Sequence, residues 1–374
     1  MNDRLAQVAH RFPLIPRPQP ARLPVHQRIA EIAQLAATPP GHPDAASRIA
    51  TAHNKAALIA SDSGDPDFAR ALCWQHHDRY ADQRPWDAAT ARRALEPLVN
   101  LARLHIRDHQ PDTAVAVLES LLTATRHAGI AQVDRRPVYL DHNTVTSHEA
   151  RQQVHRWLWT VVVADGIRAL TRADRWDDAL AHACAHRGIG DTLLDGRQTA
   201  VIAHARRGEL DSAQKILNAS VVDLPWQRAV HACLELATQE NAESPEGCSS
   251  AALRLIECCA AEPLRFRINL LTTVADLNPS PSRSTGAVHS LANQVAESGD
   301  ASLAGILLRN RIYRELPKPV QLALRRIHAR TFTATDARDQ LSDALHLAEL
   351  AVPLSESKPE PDRDRLFERV AIVN

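Results

Sequence analysis

At 374 residues the chain is long enough to bury two ordinary cores or to run on as one elongated array of small repeated units. Twelve Gly and 4% aromatic side chains, in a sequence dominated by Ala, Leu and Arg, argue against sheets of β-branched and aromatic residues and predict an all-α protein. Its 44 basic and 44 acidic side chains cancel, which excludes a global field drawing it to nucleic acid or to an anionic membrane.

Residues 1–25 are expected to form an extended, proline-rich lead-in. In PLIPRPQPARLP (13 to 24) each Pro lacks a donor and disfavours helix in the residue before it. Those prolines stand where an export signal would need an apolar stretch, and no run of about 18 apolar residues follows. A protein neither exported nor membrane-spanning is expected. The cysteines (Cys73, Cys184, Cys233, Cys248, Cys258, Cys259) include no CxxC and fall mostly in apolar helical runs, which suits a reducing cytoplasm. Lys occurs only at Lys55, Lys215, Lys318 and Lys358, so Arg supplies 40 of the 44 basic groups. That is the codon usage of a GC-rich bacterial genome, such as an actinobacterial one.

Between this lead-in and Pro353 helical periodicity is nearly continuous and is punctuated by one short phrase, with helical repeats expected over 26–235. Gly64-Asp65-Pro66-Asp67-Phe68-Ala69 puts a turn residue five positions before an Ala that opens a new amphipathic run. The phrase returns as His109 to Ala114, Asp174 to Ala179, Gly208 to Ala213 and Gly299 to Ala304. Each copy ends a helix on Gly or a polar residue, starts the next with Asp, Pro or Ser, and places a small Ala where two helices cross. The predicted unit is a helical hairpin.

Ala179 and Ala213 lie 34 residues apart, the period of one repeat family. In this spacing, with Leu217 and Pro225 following Ala213, and Leu98, Leu101, Ala102 and Leu118 around Ala114, the chain resembles the tetratricopeptide repeats. The copies on Ala69 and Ala179 match more loosely, since Gly166 and Ile167 stand in swapped order. The resemblance spans roughly 45 to 235 and implies a right-handed α-solenoid of stacked antiparallel helix pairs. Residues 236–352 continue as degenerate hairpins by pattern alone, and 353–374 read as a polar tail.

Residues 128–147, AGIAQVDRRPVYLDHNTVTS, interrupt the array without helical periodicity and form an expected insertion loop. Ser147 and Glu149 then open a long helix reaching about Arg172. Polar stretches at 241–250 and 277–286 predict lengthened turns.

The family resemblance implies that the first helix of each pair lines a concave groove. On its ligand-facing positions fall Arg103 and Arg107, then Arg168 and Arg172, then Arg206, with Asn54 and Asp62 bounding the basic patch upstream. Residues four apart share one helix face, so each pair forms a two-pronged guanidinium site for a carboxylate or phosphate. An acidic partner segment is the expected ligand. The insertion offers Asp134, Arg135, Arg136, Tyr139, Asp141 and His142, with His148 at the following helix start, as a lid or ligand contact.

His105 with His109, and His182 with His186, have metal-ligand spacing but no third ligand at a set distance, and no metal or cofactor is expected. Trp157, Trp159 and Trp176 are expected in the core, as are the adjacent Cys258 and Cys259. No phosphate loop, GxSxG or helix-turn-helix is present. The favoured reading is therefore a non-catalytic scaffold with a basic groove that binds a protein or peptide. A ligand-sensing regulator without its own DNA-binding domain, and a biosynthetic enzyme with its site under the 128–147 loop, stay open.

Overall fold

The computed structural model describes residues 3–39, 41–238, 258–277, 285–329 and 335–351. The predicted polar stretch 241–250, most of 277–286, Cys248 and the tail 353–374 lie outside them. In chain order the helices are α1 (Asp3–Val8), α2 (Val25–Ala36), α3 (Ala45–Asp62), α4 (Pro66–Asp78), α5 (Ala88–Arg107) and α6 (Pro111–His127). The strands β1 (Ile130–Val133) and β2 (Arg136–Tyr139) follow, then α7 (His148–Arg172), α8 (Trp176–Ala185), α9 (Asp195–Arg206), α10 (Leu210–Asn218) and α11 (Pro225–Thr238). The last helices are α12 (Leu264–Leu277), α13 (Thr285–Ser298), α14 (Ala301–Arg309), α15 (Lys318–His328) and α16 (Thr335–Ala351). The protein is mostly helical, as its composition predicts.

Two compact units divide the chain. Unit 1 takes Met1–Leu23 and Leu170–Thr331, and unit 2 takes Pro24–Ala169 and Phe332–Asn374. In unit 2, α3 packs on α4, α4 on α5 and α5 on α6, while α16 lies against α2 and α3. Ala337, Leu341, Ala344 and Leu345 of α16 enter that core, and Arg338 pairs with Asp65 at 2.7 Å while covering the Phe68 ring. In unit 1, α8 to α12 pack in succession, and α14 packs on α12 and α15. No helix among the described residues is long and apolar enough to cross a membrane.

The five turn phrases share one geometry. Each opens on a residue at positive φ: Gly64, His109, Asp174, Gly208 and Gly299. In four of them the next N–H reaches back five residues, from Asp65 to Ala60 O (3.0 Å), Gln110 to His105 O (2.9 Å), Arg175 to Leu170 O (2.9 Å) and Glu209 to His204 O (3.0 Å). That bond satisfies a carbonyl left open at the helix end. In all five, the carbonyl after the turn residue then accepts the N–H of Ala69, Ala114, Ala179, Ala213 or Ala304 at 3.0 to 3.1 Å. Every one of these alanines is fully buried. A larger side chain there would hold the two helices apart.

Two expectations are corrected. Within 1–25, expected to be extended, Asp3–Val8 is helical because Leu5 and Val8, three apart, bury one face against α11 and α12. Within 128–147, expected to be a loop, β1 and β2 form a hairpin with Val133 opposite Arg136. Its two turn residues, Asp134 (φ 47) and Arg135 (φ 66), are both left-handed, the conformation a two-residue hairpin turn requires. The hairpin lies on α6, where the Gln132 N–H donates to Ser120 Oγ at 2.7 Å. Pro137 offers no N–H on the other strand, which disfavours addition of a further strand.

Gly208 (φ +79) has open space where a Cβ would stand, so Gly208→Ala carries only the backbone penalty. Urea denaturation is expected to show a loss of about 1–2 kcal/mol. The reverse change at the exposed His109, His109→Gly, relieves the same strain and is expected to gain up to about 1 kcal/mol.

Candidate binding face

In unit 2 the first helices of successive hairpins, α3, α5 and α7, are tied by polar side chains. Asn100 Nδ2 donates to Asn54 Oδ1 at 3.0 Å, and Arg103 Nη1 donates to Asn100 Oδ1 at 3.0 Å. Arg103 Nε then donates to Asp165 Oδ2 at 2.8 Å, and Arg168 Nη1 to Asp165 Oδ1 at 2.6 Å. Asp62 and Arg107 both stand two residues before a turn residue. Arg107 Nη1 donates to Ser61 Oγ at 2.8 Å and to Asp62 Oδ1 at 2.9 Å, while Arg28 Nη2 reaches Asp62 Oδ2 at 3.0 Å.

Each aspartate side chain is only 3% exposed, whereas Arg103, Arg107 and Arg168 are 41%, 34% and 36% exposed. A carboxylate taken this far from water is held only if cations and donors compensate it. Here each carboxylate binds two guanidinium groups by opposite oxygens. The outer parts of Arg103, Arg107 and Arg168 reach solvent from anchors that fix their direction. Of the two residues expected to bound the basic patch, Asp62 is bonded to Arg107, and Asn54 is linked to Arg103 through Asn100.

The remaining predicted residues lie elsewhere. Arg172 is exposed in the last turn of α7, and Arg206 donates to Asp174 Oδ2 at 2.8 Å, both within unit 1. The five groove arginines are thus divided between the two units. Arg136 grips Asp78 through both carboxylate oxygens (2.6 and 3.0 Å) and lies 4.5 Å over the Trp74 ring on α4. Asp134, at the hairpin tip, accepts from His105 Nε2 at 2.5 Å, and His105 Nδ1 meets Gln110 Oε1 at 2.8 Å. Arg135 is the second turn residue, and Tyr139 is half exposed.

Asp141 accepts the Thr144 hydroxyl (2.9 Å) and the Asn143 N–H (3.0 Å), and the hydroxyl above all holds its carboxyl below the usual range. His142 and His148 are exposed, with His148 Nε2 at 2.9 Å from Gln152 Nε2. Arg136 and Asp134 therefore anchor the hairpin on α4 and the end of α5. Of the expected core residues, Trp176 and Cys259 are buried, Trp157 and Trp159 are partly so, and Cys258 is exposed. The His182 and His186 rings lie 4.5 Å apart, and His109 is a turn residue.

A buried histidine cluster in unit 2 has no signature in the sequence. His53 of α3 and His76 of α4 stack with ring centroids 4.8 Å apart, and each is 1% exposed. Both His53 nitrogens and His76 Nδ1 lack a hydrogen-bond partner, while the Tyr80 hydroxyl lies 3.5 Å from His76 Nε2. Burial, with the Arg79 charge adding to it, pushes His53 down to about 4. His76 lies well below its ordinary value, chiefly by burial and then through the His53, Arg79 and His77 charges. The same burial pushes Tyr80 up to about 12.

No protein-family model, no curated protein and no solved structure matches the chain.

Removing the carboxylate that Arg28 binds strips a compensating charge from a buried guanidinium. Asp62→Ala is expected to cost about 3–5 kcal/mol in urea denaturation, against about 1 kcal/mol for the more exposed Arg107→Ala. For His53 the unfolded chain binds more protons than the folded one between the ordinary value of 6.5 and about 4. Stability is therefore full above pH 6.5 and falls as the pH drops toward 4, by about 3 kcal/mol for this group alone. His53→Phe is expected to flatten that slope in denaturation curves taken from pH 7 to 4.

Proposed function

We propose that the protein is a helical-repeat interaction module of the tetratricopeptide type, working in a reducing cytoplasm. Its hairpins stack as antiparallel pairs, and the first-helix face of unit 2 holds an extended acidic segment of a partner protein. The observation that carries this reading is the pairing of two guanidinium groups on each of two buried carboxylates, Asp62 and Asp165, along one face. Arginines held in this way lose little side-chain freedom when an anionic chain arrives, which favours binding. The five described cysteines are free thiols, which supports the cytoplasmic assignment.

A fluorescein-labelled glutamate-rich decapeptide tests it. Its anisotropy with the full chain is expected to report binding that weakens about ten-fold or more between 0.05 and 0.5 M salt. Arg103→Glu combined with Arg168→Glu is expected to abolish it. Binding insensitive to salt, or intact in the double variant, would contradict the basic-face mechanism.

A further inference from the structure

Beyond a 3-10 turn that ends at Arg11, residues 12–17, Phe-Pro-Leu-Ile-Pro-Arg, run without helix or strand along unit 1, and with Arg11 they are held there as a bound peptide is held. Gln198 of α9 has no exposed surface. Its Oε1 accepts the Leu14 N–H at 2.7 Å, and its Nε2 donates to Leu14 O at 3.1 Å and to Leu193 O at 2.9 Å. One carboxamide thus binds both backbone groups of a single residue, a contact indifferent to the side chain at that place. Phe12 and Leu14 are both buried in the core of unit 1.

Charged groups close the two ends. Arg17 donates from Nη1 and Nη2 to the two carboxylate oxygens of Asp195, at 3.0 and 2.5 Å. Arg11 donates to Thr272 O at 3.0 Å and pairs with Asp276. Pro13 and Pro16 each fix φ within the segment, which lowers the entropy lost on docking. A main-chain clamp, buried apolar side chains and charge-matched ends are the means by which grooves recognise peptide segments.

We infer that this face of unit 1 is a site for an extended, arginine-flanked apolar segment of a partner protein, filled in the isolated chain by residues 11–17 as an internal ligand. The partner segment carries an arginine, apolar residues at the first and third positions after it, and a second arginine at the sixth. Asp195 is 7% exposed, so an occupant without the second arginine leaves a buried carboxylate short of its cation. The face differs in unit and in charge from the arginine face of unit 2, and neither reading depends on the other.

The test uses a fluorescein-labelled peptide of residues 9–19, the full chain, and the full chain carrying Leu14→Ala with Arg17→Glu. That variant weakens its own segment and keeps Gln198, Asp195 and Asp276. It is expected to bind the peptide at least about ten-fold more tightly than the unaltered chain, as loss of a buried apolar side chain and a charged pair implies. The same peptide with Glu at both arginines is expected to bind it about ten-fold or more weakly. Circular dichroism accompanies each titration. If the double variant does not fold, Arg17→Glu alone gives the same comparison with a smaller ratio. A folded variant that binds the peptide no better than the unaltered chain, or binds the charge-reversed peptide equally well, overturns the inference and marks residues 11–17 as a fixed part of the core.

Discussion

A residue held at positive φ between two helices, with a fully buried alanine five positions later, is the constraint from which the rest follows. The left-handed residue reverses the chain within a few positions, and the alanine sets how closely the next helix can approach. Because the reversal is the same at Gly64 and His109, the last turns of α3 and α5 stand in equivalent places. Asp62 and Arg107, each two residues before the reversal, therefore meet at 2.9 Å. A regularity of backbone geometry becomes a regularity of charge.

The buried aspartates then convert flexible side chains into fixed ones. An arginine on an exposed helix face ordinarily samples many rotamers, and holding it against a partner costs entropy each time. Asp165 orients Arg103 and Arg168 in advance, and Asp62 does the same for Arg107. Unit 1 uses a different economy at Gln198, where a neutral amide holds a backbone segment and Asp195 holds its arginine. The two units thus present opposite chemistry, guanidinium outward in one and carboxylate against arginine in the other.

The turns were legible because their causes are local. Gly at a left-handed position, Pro in a first helical turn and Asp as a cap act within six residues, and even His109 and Asp174, poor substitutes for Gly, kept the phrase recognisable. The arginines of α5 and α7 were legible through the resemblance to tetratricopeptide repeats, which implies that they face a ligand. Their acceptors were not: Arg103 and Asp165 are 62 residues apart, and only the packing of α5 beside α7 joins them. The hairpin has no clear signature in the sequence because Asp134-Arg135 replaces the Asn-Gly that usually announces such a turn. His53 and His76 carry no periodic signal, since an imidazole on an apolar helix face reads alike whether buried or exposed. The docking of residues 11–17 depends on Gln198, a contact between positions 184 residues apart for Leu14.

The central claim is that fixed arginines on the first helices of unit 2 receive an anionic chain. Side-chain nitrogen resonances of arginine in the full chain, followed by nuclear magnetic resonance as a glutamate-rich peptide is added, test it most directly. The account predicts that the Nε signals of Arg103, Arg107 and Arg168 move while that of Arg136, gripped by Asp78 and stacked on Trp74, stays in place. Equal shifts at every exposed arginine, or none at these three, would contradict it.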